Sequence, residues 1–108
     1  MGHSVMTTIG FILGKVKVEI RSILQKRPEI QEVYGFGSFF RNQSFNDIDL
    51  LFVLRGDNVS LLVASKEIRS LIFDTSRKLG ITLDPLILTE RELEESPLRD
   101  MHELRLLS

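Results

Sequence analysis

Tyr34-Gly35-Phe36-Gly37-Ser38-Phe39-Phe40-Arg41-Asn42-Gln43-Ser44-Phe45-Asn46-Asp47-Ile48-Asp49-Leu50-Leu51-Phe52-Val53-Leu54 is the stretch that decides how this chain reads. A short strand breaks at glycines, a polar loop follows, and a second strand opens with two carboxylates before turning wholly apolar. The run from Leu50 to Leu54 is of the kind that excludes charge, so Asp47 and Asp49 belong at its mouth. Two residues apart on a strand, they share one face. Carboxylates held that close raise each other's pKa unless a positive charge lies between them. Oxygen-only ligands suit Mg2+, which takes one or two carboxylates and fills its octahedron with water and phosphate oxygens. Gly37-Ser38 then fits as a phosphate grip, because glycine admits a close backbone approach and serine adds a hydroxyl donor.

Outward from this centre, the 108 residues predict a single domain over 1–108, with 43% apolar residues supplying a core. A formal charge of -1 from 14 basic and 15 acidic residues provides no field toward nucleic acid or an acidic membrane, so nucleic acid is not expected as a partner. The absence of cysteine removes disulfides and thiolate metal sites and fits a cytoplasmic setting. No signal-peptide pattern or membrane-length apolar run is visible.

Ile9, Ile12, Leu13, Val16, Ile20, Ile23 and Leu24 recur at helical steps, which predicts an amphipathic helix over 8–26, capped by Thr7 or Thr8 and stopped by Pro28. A first strand is expected over 33–36 and a second over 47–54. The segment 39–41 is expected to form a helical turn whose amides face a phosphate. Arg55-Gly56-Asp57-Asn58 reads as a turn. Ser60 caps a second predicted helix through about 79, closed by Gly80. A third strand over 81–88 carries Asp84 beside Pro85, the mark of an edge or a bend. Thr89 caps a turn through 95. Ser96-Pro97 opens a predicted C-terminal helix with Leu98, Met101, Leu104 and Leu107 on one side, either packed on the sheet or exposed as an interface.

Gly37-Ser38, a loop, then Asp47-Ile48-Asp49 resembles the hallmark of the nucleotidyltransferase superfamily that includes DNA polymerase beta. The small size and the Phe-Gly-Ser followed by Arg41 are most similar to the minimal nucleotidyltransferases, which include antitoxins paired with helical HEPN-type toxins. This resemblance implies the nucleotidyltransferase fold: α/β, a small mixed sheet backed by helices. It implies a metal-dependent enzyme moving a nucleoside monophosphate, AMP from ATP or the equivalent from another NTP, onto a hydroxyl, with pyrophosphate leaving. Asp47, Asp49 and a third strand carboxylate, Asp84, would be catalytic and hold two Mg2+ ions, or Mn2+ in their place. Gly37, Ser38 and Arg41 would hold the nucleotide. A HEPN-type helical partner or a homodimer would complete the acceptor side.

Read singly, Asp47 is a strand-start cap and Asp49 half of a salt bridge, while Arg41 is equally a phosphate contact or a solvated loop residue. Phe39, Phe40 and Phe45 are either core or pocket wall, and His102 lacks a second ligand at useful spacing. The joint placement of Gly-Ser, Asp-x-Asp and Asp84 points to metal chemistry. The alternative is a catalytically inactive module of the same fold that binds nucleotide or a partner. It draws on the eight-residue loop 39–46 and on Asn42, where a glycine commonly follows the arginine.

Overall fold

The computed structural model describes residues 5–37, 47–55, 61–95 and 104–108. Helix α1 (Val5–Lys26) leads to strand β1 (Ile30–Phe36). Strand β2 (Asp47–Leu54), helix α2 (Leu61–Leu79), strand β3 (Thr82–Thr89), helix α3 (Glu90–Glu95) and the short strand β4 (Arg105–Leu106) follow. The sheet order is β3-β2-β1-β4, with β2 parallel to β3 and β1 antiparallel to both β2 and β4. This is the expected α/β architecture, a small mixed sheet backed by helices.

The apolar stripe of α1 carries Val16, Ile20 and Ile23, and that of α2 carries Ala64, Ile68 and Ile72. Both pack with Val33, Ile48, Leu50, Phe52, Leu54 and Leu83 into one core. Burial of these side chains stabilises the fold at about 25 cal/mol per Å² of apolar surface. The helices therefore cover the sheet face that holds the even-numbered residues of β2. By the period of two, Asp47, Asp49, Leu51 and Val53 point to the other face. Leu51 and Val53 are nonetheless buried, on the side where α3 rests on β2 and β3.

Several boundaries have local causes. Helix α1 is already under way at Val5, so Thr7 and Thr8 lie within it and neither is its cap. It ends before Pro28 as expected, and Arg27 there bridges Glu29 and Glu67, tying the helix end to β1 and α2. Strand β1 starts three residues earlier than expected. Ile30 is buried and pairs with Leu54, and a bulge before Glu32 had obscured the alternation. Gly80, at φ 70°, closes α2, and the Ile81 N–H donates to the Ser76 carbonyl five residues back. Strand β3 lies at the sheet edge, where Pro85 costs no ladder bond.

The C-terminal expectation is corrected. Residues 105–106 form a strand on β1, with Tyr34 opposite Leu106 and Gly35 opposite Arg105, instead of continuing a helix. Leu107 is buried in the core and its N–H donates to the Val33 carbonyl, while Leu106 is half exposed. Adjacent leucines on opposite faces are a strand pattern, so the proposed helical stripe does not reach residue 107. Leu98 and Met101, like His102, lie outside the described residues.

Candidate active site

The site assembles from one strand start and its two neighbours. Asp47 and Asp49 project from the same face of β2. In the parallel pairing of β2 with β3, Asp49 stands opposite Asp84, so the third carboxylate lands on that face too. Each of the three offers an oxygen within 4.8 Å of the others. Asp47 and Asp49 are partly buried and Asp84 is exposed at the rim. The structure thus brings together the three carboxylates expected from the sequence.

Repulsion is visible in Asp49. Its pKa is raised, first by burial, then by the charges of Asp47 and Asp84, and then by a hydrogen bond with Asp84. Every charge acting on it among the described residues is negative. A site of this kind lowers its energy by taking up either a proton or a cation. Its donors are oxygens alone, the set that favours hard cations such as Mg2+ and Mn2+ over zinc or copper.

Gly37 closes the other side. It follows β1 directly after Phe36, which pairs with Asp49, and it sits at φ 87°. A β-carbon at this position would run into the Asp49 carboxylate. Glycine is therefore required twice, by the backbone conformation and by the closeness of the carboxylate. Ser38 and Arg41, the other expected nucleotide contacts, lie outside the described residues, as does the 39–41 segment.

Two residues that the sequence reading passed over share the site's face. Tyr34 and Glu32 precede Phe36 at strand period, and the Tyr34 hydroxyl donates to Glu32 at 2.9 Å. Burial, that hydrogen bond and the Glu32 charge all push the Tyr34 pKa up. Counting by twos back from Phe36 would have found both.

No protein-family model matches the chain, and no curated protein matches it in sequence. Among solved structures, it is similar to a protein from Sulfolobus solfataricus provisionally described as a nucleotidyltransferase. That match has 22% identity and a TM-score of 0.61, and it covers 98% of this chain and 87% of the other. The two chains share a fold over nearly their whole lengths.

Proposed function

We propose that the chain is a metal-dependent nucleotidyltransferase that moves AMP from ATP to a hydroxyl acceptor. The observation that carries this reading is the convergence of Asp47, Asp49 and Asp84 from two strands, with oxygens within 4.8 Å of one another, against a glycine that leaves no room for a side chain. The description of the Sulfolobus protein and the resemblance of the Gly-Ser and Asp-x-Asp pair support the same chemistry.

Asp47, Asp49 and Asp84 would hold one or two Mg2+ ions. Bound there, a divalent cation supplies positive charge where the transferring phosphoryl group gains negative charge. Gly37 lets the backbone approach the triphosphate, with Ser38 and Arg41 as further contacts. Asp84, exposed at the rim, would take the acceptor's proton. The acceptor oxygen then bonds to the α-phosphorus, and the bond from that phosphorus to the bridging oxygen breaks. Pyrophosphate leaves with the electron pair. A HEPN-type partner protein bearing the acceptor, or a homodimer, is the arrangement that the minimal members of the superfamily suggest.

Calorimetric titration with ATP, with and without Mg2+, is the direct test. The proposal expects binding that requires the metal and disappears in Asp49→Asn. Tight ATP binding without metal that Asp49→Asn leaves unchanged would instead describe an inactive nucleotide-binding module.

A further inference from the structure

On the outer side of β3, away from β2, a cleft of about 410 Å³ separates the edge strand from the C-terminal half of α2. Its wall is a stripe one helical turn apart at each step: Arg69, Phe73 and Arg77. Its floor is apolar, formed by the buried Ile72 and Leu83. Phe73 is 62% exposed, an unusual position for so large an apolar side chain. The Arg77 guanidinium lies 5.9 Å from its ring centroid. Arg69 donates to the Pro85 carbonyl at 3.4 Å, the outer limit of a hydrogen bond. Among the described residues neither arginine has a carboxylate partner. An exposed ring flanked by two guanidinium groups that have no carboxylate partner among the described residues matches a flat heterocycle that carries an anion. The ring offers a stacking face and the guanidinium forks suit phosphate oxygens.

The cleft lies on the helix-covered side of β3, with Leu83 and Pro85 lining it while Asp84 between them points to the other face. Thr82, at its rim, is the register partner of Asp47, and Leu83 and Pro85 flank Asp84. Gly37 lies on the opposite, β1 side of Asp49. The triad with Gly37 and the cleft therefore lie on opposite faces of the sheet.

We propose that this cleft binds a small nucleoside monophosphate, with its base on Phe73 and its phosphate between Arg69 and Arg77.

Calorimetry in EDTA isolates the cleft, since without metal the triad repels phosphate. AMP should bind at least about tenfold more tightly than adenosine or ribose 5-phosphate, because stacking and anion contacts each contribute on that scale. Phe73→Leu, and the double variant Arg69→Gln with Arg77→Gln, should each weaken AMP by about tenfold. All three side chains are exposed, so these variants should fold. Ribose 5-phosphate binding as tightly as AMP, or variants binding like wild type, would overturn the site. With Mg2+ and α,β-methylene-ATP present, AMP should still bind. Displacement of AMP by the analogue would mean that AMP binds at the triad and not in the cleft, and would overturn the site. Asp49→Asn should leave metal-free AMP binding intact, so failure of the triad's chemistry and failure of the cleft remain separable.

Discussion

Asp49 is partly buried beside two like charges, those of Asp47 and Asp84. Its folded-state pKa is raised, so between the ordinary carboxylate value and that raised value the folded protein holds a proton that the unfolded chain releases. The metal-free protein should therefore gain stability as pH falls through this window and lose it as pH rises. Asp49→Asn should flatten that part of the profile and raise the melting temperature of the metal-free protein at pH 7. Thermal melts across pH 4 to 7 check both; a variant that melts below wild type at pH 7 would contradict the repulsion argument. Gly37 answers to a different constraint. Gly37→Ala forces a β-carbon into a left-handed conformation at a cost of roughly 1–2 kcal/mol, before adding the collision with Asp49. Urea unfolding should show at least that loss, and metal binding should weaken in the same sample because the carboxylate is displaced.

Among the elements, α3 owes its start to a reciprocal cap. The Glu92 N–H donates to the Thr89 hydroxyl at 3.0 Å, and the Thr89 N–H donates to the Glu92 carboxylate at 2.9 Å. Six residues with no buried member form a helix only when their ends are satisfied. Thr89→Ala should cost about 1 kcal/mol in urea unfolding, and Thr89→Ser should restore most of it. At the chain's other edge strand, Leu107→Ala should cost about 2–3 kcal/mol, because its side chain enters the core. Leu106→Ala should cost much less. Equal losses at the two positions would argue against the strand assignment of residues 105–106.

For the molecule as a whole, the three carboxylates are brought to one point by strands separated by α2, so a cation bound there ties the β2-α2-β3 unit together. A ligand that binds only the folded state adds stability by mass action, about 2.7 kcal/mol at 100 times its Kd. Mg2+ or Mn2+ should accordingly raise the wild-type melting temperature in a concentration-dependent way and leave that of Asp49→Asn nearly unchanged. An equal response in both proteins would place the cation elsewhere.

The chain's local patterns were enough to place β2 residue for residue, to end α1 at Pro28 and α2 at Gly80, and to mark Asp84 as lying at an edge or a bend, which the sheet order resolves as an edge. Each of these depends on neighbours in sequence: a closed apolar run, a ring that forbids the helix, a residue free to take positive φ, a missing N–H. The convergence of Asp47, Asp49 and Asp84 was foreseen from resemblance, but its geometry comes from the parallel register that sets Asp49 beside Asp84. The tertiary structure alone decided that Leu107 is core while Leu106 is not, because apolar spacing of three and four residues mimics a helix until β1 offers an edge to pair with. It alone also opened the cleft at Phe73, since a helix pattern cannot say which exposed stripe will face an edge strand. Interactions between neighbours are encoded where they act, whereas register and strand order are settled by burial summed over the whole chain.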